Sequence, residues 1–185
     1  MENLETKVIT GKVRFSYANV FEPKSINGSI PKYSISLLIP KDDEKTLSKI
    51  KQAIENAKKV GVTKYGSKLP ANAKMPLRDG DTERPDDEVY KGHYFINANS
   101  NDKPGILNKF KIAITDPEEF YSGCYGYASI NFYAFNANGN KGIACGLNNL
   151  MKIEDGERLG GKLSAETDFE TIAAAEDTEM EELFA

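Results

Sequence analysis

The chain has 185 residues, 39% of them hydrophobic and 10% aromatic, which suffices to bury one core and is short for two. No stretch approaches the roughly 18 apolar residues of a membrane span, and Met1 to Thr10 carry charge without an apolar run, so secretion and membrane insertion are not expected. Cys124 and Cys145 lack CxxC spacing and the single histidine, His93, has no companion ligand, a pattern that fits two buried thiols in a reducing cytoplasm and suggests neither metal nor cofactor.

The net charge of −4 is unevenly distributed. From Leu163 to Ala185 there are eight of the 28 acids and no Lys or Arg, so residues 1 to 162 hold 24 basic against 20 acidic residues and carry +4. Between Lys45 and Lys74 eight lysines face one acid, Glu55, a local excess of +7. Such a patch can attract a phosphate backbone although the whole chain is acidic.

In chain order, a first strand is expected from Lys7 to Tyr17, with Val13, Phe15 and Tyr17 on an apolar face and Lys12, Arg14 and Ser16 on the other. A second is expected from Tyr33 to Ile39, alternating with Ser34 and Ser36 and closed by Pro40. One helix follows, capped by Asp42 or Asp43, burying Leu47, Ile50, Ala53, Ile54, Ala57 and Val60, and stopping at Gly61. Residues 61 to 90 read as a long connection with an acidic cluster from Asp79 to Glu88. Further strands are expected at Gly92 to Ala98, at Ile106 to Thr115, at Tyr121 to Phe135 and near Ile143 to Ile153, the last two joined by a turn containing Asn138-Gly139. About six short strands and one helix suit a mainly β fold, a five- to six-stranded barrel of the oligonucleotide-binding (OB) type over residues 1–162, followed by a flexible acidic tail, 163–185.

Phosphate-binding and hydrolase signatures are absent, and no catalytic residue is assigned. A Mg²⁺-dependent nuclease would have to use the acids of the 79–88 loop. A single-strand binder needs cations along a groove and flat rings on which unpaired bases stack. Tyr125, Tyr127 and Tyr133 share the strand face opposite Ile130 and Phe132, and Lys12, Arg14, Lys109 and Lys111 lie on the non-core parity of their strands. With Lys64 and Lys68 in the long connection, these are the candidate DNA-binding residues. The tail ends in an apolar tip, Leu183 and Phe184, among glutamates, which suits contact with a protein partner and competition for a basic groove.

The segments VRFSYANVFEP (13 to 23), YSGCYGYASINFYAFN (121 to 136) and GNKGIACGLNNLMKI (139 to 153) resemble a family of phage and prophage single-stranded-DNA-binding proteins, over about residues 7 to 160. By architecture this family is similar to the replication single-strand-binding proteins of short-tailed bacteriophages. The resemblance implies sequence-independent binding in phage DNA replication and recombination within the bacterial host cytoplasm. It also implies tail contacts with polymerase or helicase-primase. Assembly as a homodimer is compatible with this reading and is not fixed by the sequence. Phe184 is penultimate here, which departs from a terminal aromatic tip. The alternatives are a phage-encoded protein-interaction or structural barrel and the nuclease named above.

Overall fold

A computed structural model describes residues 4–25, 28–66, 68–137 and 140–159. Leu183, Phe184 and the rest of the expected tail lie outside the described residues, as do Asn138 and Gly139 of the expected turn.

The strand expected from Lys7 to Tyr17 is two strands, β1 (Lys7–Ile9) and β2 (Val13–Lys24). The break falls where the backbone turns to meet a helix: the Gly11 amide donates to Thr46 Oγ1 at 2.9 Å, and a Cβ at Gly11 would lie 2.9 Å from both Asp43 Oδ2 and Thr46 Oγ1. A larger residue at this position would displace the Asp43 carboxylate and the Thr46 hydroxyl from the helix start. Strand β3 (Lys32–Pro40) matches the expectation in extent but is buried without interruption from Ile35 to Ile39, Ser36 included.

Helix α1 (Glu44–Tyr65) begins at Asp43, whose carboxylate accepts from the Thr46 amide at 3.1 Å, and ends at Gly66 with φ 75°. The expected stop, Gly61, lies inside the helix. An interior glycine costs about 1 kcal/mol of helix propensity, but here it admits the strand that carries Ala134: a Cβ on it would be 2.6 Å from that of Ala134. Leu47, Ile50, Ala53, Ile54 and Ala57 form the buried face, while Val60, expected there, is exposed.

The long connection contains structure of its own. It holds β4 (Arg78–Asp79), the short helix α2 (Gly80–Glu83) and a 3-10 turn, Glu88–Tyr90, before β5 (His93–Ser100). Of the strand expected from Ile106 to Thr115 only β6 (Gly105–Leu107) forms. Asn108 ends it, because its side-chain oxygen accepts from the Phe110 and Ile112 amides at 2.8 and 3.1 Å and curls the chain into a turn. Phe110 and Ile112 are therefore 71% and 61% exposed, and Lys109 and Lys111 sit on a turn, not on the outer face of a strand. Last come β7 (Tyr125–Ala137) and β8 (Asn140–Glu154), paired antiparallel along almost their whole length.

Strands β2, β3 and β5 pair antiparallel in sequence, β5 pairs parallel with β8, β8 with β7, and β7 returns to β2. This ring of five closes a barrel of the OB type. Strands β1, β6 and β4 lengthen its margins on β7, β8 and β5. Phe15, Leu37, Ile39, Ile96, Ile130, Phe132 and Leu147 fill the interior, where removal of apolar surface from water supplies the main stabilisation, about 25 cal/mol per Å². A second cluster, Leu38, Tyr90 and Phe95, lies on the other face of β3 and β5 and fixes the segment 78–92 to the outside of the barrel.

Candidate nucleic-acid interface

The register between β2 and β3 shifts between Ser16 and Asn19, so two residues, Tyr17 and Ala18, are spent in a bulge. The shift reverses the expected parity at Tyr17 alone. Ser16 keeps the outer parity of Arg14 and is buried there under the segment 78–92, with the Tyr90 hydroxyl 3.4 Å from its oxygen, and Tyr17, expected on the core face, turns outward, 56% exposed. Tyr17 also has φ 46°, a left-handed conformation that costs a non-glycine residue about 1–2 kcal/mol. Exposed aromatic surface held in a strained backbone is a common mark of a functional position.

Arg84 faces this ring from the segment 78–92. Its Nη2 donates to the Tyr17 hydroxyl at 2.8 Å, and its guanidinium carbon lies 5.2 Å from the Tyr17 ring centre and 4.4 Å from that of Tyr90. Asp87 adds an ion pair at 3.5 Å. The segment is tied down by Lys41, whose ammonium lies 2.7 Å from both an Asp79 and an Asp81 oxygen, while Asp81 also accepts from the Gly92 amide at 3.1 Å. Lys41 holds both carboxylates below their usual range, and burial opposes it only in part. Acids expected to be candidates for a metal therefore brace a loop, and among the described residues no group of three or more His, Cys, Asp or Glu is arranged to hold a metal.

The floor beneath Tyr17 and Arg84 is neutral and polar. Two cross-strand rows make it, Ser16–Ser36–Asn97 and Asn19–Ser34–Asn99. Ser36 donates to Asn97 Oδ1 at 2.8 Å, and Asn19 Nδ2 lies 3.4 Å from Ser34 Oγ. Lys24, Lys32 and Arg84 border a cavity of about 380 Å³ here, and no carboxylate lines it among the described residues. Tyr17, Asn19 and Lys24 also border a second cavity of about 480 Å³, reached by Leu159.

The residues singled out from the sequence fall into several places. Tyr125, Tyr127 and Tyr133 do lie on the outer face of β7, opposite buried Ala128, Ile130 and Phe132, with Tyr127 and Tyr133 38% and 42% exposed. Lys12 and Arg14 flank Tyr125, 5.0 and 5.3 Å from its ring centre. Both cations already have protein partners: Lys12 pairs with Glu154, and Arg14 donates to the carbonyls of Gly123 at 3.1 Å and Glu157 at 2.9 Å. Lys109 lines a cavity whose wall includes Glu154, and it lies 5.3 Å from the Phe110 ring, with Lys111 exposed two residues on. Lys64 is in the last turn of α1, not in a loop, and Lys68 is exposed beyond Gly66. Sequence reasoning passed over Tyr17, Arg84, Lys24, Lys32 and the Asn/Ser floor. The alternation Ile96, Asn97, Ala98, Asn99 was the available signal for that floor.

Comparison with known proteins identifies the family. Residues 6–181 match the family described as Enterobacter phage Enc34, ssDNA-binding protein. The single-stranded DNA-binding protein from bacteriophage Enc34, solved in complex with ssDNA, is 30% identical, with a TM-score of 0.76 over 84% of this chain and 90% of that one. Protein p50 of Acyrthosiphon pisum secondary endosymbiont phage 1 is 28% identical over 183 residues, 94% of this chain and 98% of that protein. The bacteriophage T7 single-stranded DNA-binding protein gp2.5 shares the fold, with a TM-score of 0.59 at 13% identity over 85% of this chain and 97% of that one. The chain belongs to the phage single-stranded-DNA-binding family represented by Enterobacter phage Enc34.

Proposed function

We propose that this protein binds single-stranded DNA without sequence preference in the groove between Tyr17, Arg84 and the β3–β5 floor, and that it serves phage DNA replication and recombination. The observation that carries the reading is the likeness to the Enc34 protein, whose structure contains ssDNA, over 84% of this chain. The local chemistry agrees. A base stacks on any aromatic face regardless of identity, and Lys24, Lys32 and Arg84 supply phosphate contacts. Neutral Asn and Ser side chains on the floor accept or donate to sugars and base edges without imposing a code.

The outer face of β7 is the second reading, favoured by the exposure of Tyr127. In it Tyr125, Tyr127 and Tyr133 stack bases while Lys12, Arg14, Lys64, Lys68, Lys109 and Lys111 meet phosphates. The groove is preferred because Lys24 and Lys32 border a cavity whose lining holds no carboxylate among the described residues, whereas Lys12 pairs with Glu154 and Arg14 bonds to the Gly123 and Glu157 carbonyls.

The acidic segment 163–185 is assigned two roles, contact with polymerase or helicase-primase through Leu183 and Phe184, and competition with DNA for the groove. Leu159, four residues before that segment in the sequence, borders the cavity beside Tyr17. Fluorescence titration with a homopolymeric single strand and with duplex tests the function. Tighter single-strand binding that weakens with salt at a log–log slope of about −0.7 per phosphate supports it; equal affinity for duplex, or no salt dependence, contradicts it.

A further inference from the structure

The row Asn19–Ser34–Asn99 continues beyond the groove. Asn99 of β5 pairs with Gly146 of β8, and Gly146 pairs with Asn131 of β7, so the same outer face crosses five strands, four spacings or about 19 Å of sheet. Gly146 is the one member of the row without a side chain. The Tyr133 ring borders this gap, since a Cβ built on Gly146 would lie 3.6 Å from Tyr133 Cε1.

Neither backbone nor packing requires glycine at this place. Gly146 is not among the positive-φ residues, and its built Cβ meets the Asn131 carbonyl oxygen at 3.5 Å, an ordinary contact. Glycine inside a strand weakens it, and it often marks a bulge, a bend at a barrel corner, or a place at which another chain or a ligand comes close to the backbone; the β8 irregularity falls beyond Leu147, and the outer surface over Gly146 fits the last of these. Tyr133, 42% exposed, lies on the far side of this notch.

We infer that Tyr133 is a second base-stacking subsite and that Gly146 is the notch through which the strand passes from the Tyr17 groove to reach it. The inference rests on the reading that the groove binds single-stranded DNA. One continuous strand then occupies both rings, Tyr17 first and Tyr133 after crossing β5 and β8. Tyr133 carries the stacking, and Gly146 sets the clearance.

Affinities of the full-length protein for thymidine homopolymers of increasing length separate the two subsites. The parent should bind more tightly as length grows until both rings are covered. Tyr133→Ala should lose about tenfold on long strands and stay within about twofold on the shortest strand that binds, while Tyr133→Phe keeps the parent's behaviour. Gly146→Leu should copy Tyr133→Ala, and Gly146→Ala, whose methyl group fits, should bind nearly as the parent does. If Tyr133→Ala matches the parent at every length while Tyr17→Ala is weakened, the second subsite is overturned and the groove stands. If Tyr17→Ala also matches the parent, both fall. Tyr133 lies on the outer face, outside the barrel core, so its truncation leaves the core packing intact and this arm holds even where Gly146→Leu does not fold.

Discussion

Arg84 lies against Tyr17 twice over, donating a 2.8 Å hydrogen bond to its hydroxyl and stacking its guanidinium 5.2 Å from the ring centre. The two residues are 67 positions apart and come from separate elements, β2 and the segment 78–92. A ring held this way loses little freedom on binding, and such preorganisation leaves more of the contact energy as affinity.

Tyr17→Ala should cost about 1 to 3 kcal/mol of single-strand affinity. Tyr17→Gly should lose the same affinity while relaxing the left-handed backbone, so it should melt at a higher temperature than Tyr17→Ala. Oligonucleotide titration and thermal denaturation of both variants check this pair of outcomes.

The Lys41 bridge gives the segment 78–92 a pH dependence. Asp79 and Asp81 have lowered pKa values in the fold, chiefly through their bonds to Lys41. Their contribution is complete above the ordinary carboxylate value of about 4 and is lost as pH falls through the depressed values. Protection factors of the amides in residues 78–92, taken relative to the intrinsic exchange rate at each pH, should fall on acidification before those of β3 and β7. Lys41→Met should speed the exchange at neutral pH and weaken DNA binding by releasing Arg84.

Gly61→Ala reverses the usual helix rule. Alanine in place of an exposed interior glycine stabilises a helix by about 1 kcal/mol, but here the new methyl group would sit 2.6 Å from the Ala134 Cβ. Overpacking of this kind costs about 1 to 3 kcal/mol. Urea denaturation should give a lower midpoint for the variant with an unchanged m-value.

Cys124 and Cys145 are both buried, and burial pushes both thiols up, away from the reactive thiolate. Neither should react with a thiol reagent in the native protein. Both should react in denaturant, which a mass measurement reads directly.

Period-two alternation made the barrel strands legible, and the outward parity of Tyr127 and Tyr133 followed from Ile130 and Phe132 turning inward. The helix start was legible too, because Asp43 and the apolar spacing from Leu47 to Ala57 are local signals. What escaped is set by contacts distant in sequence. The bulge at Tyr17 depends on registration against β3, and no residue of β2 announces it. Gly61 resembles a helix stop until Ala134 is known to press on it. Asn108 was a missed local signal, since its Asx turn competes with the Phe110–Ile112–Ile114 alternation that suggested a strand. Arg84 sat within an acidic run, and only the fold brings it to Tyr17.

Photocrosslinking tests the position of the strand most directly. The full-length protein is irradiated with a homopolymeric single strand carrying 5-iodouracil, and the adducts are mapped by peptide mass spectrometry. The groove reading predicts adducts on Tyr17 that duplex competitor does not remove. Adducts confined to Tyr125 and Tyr127, with Tyr17 unmodified, would contradict it.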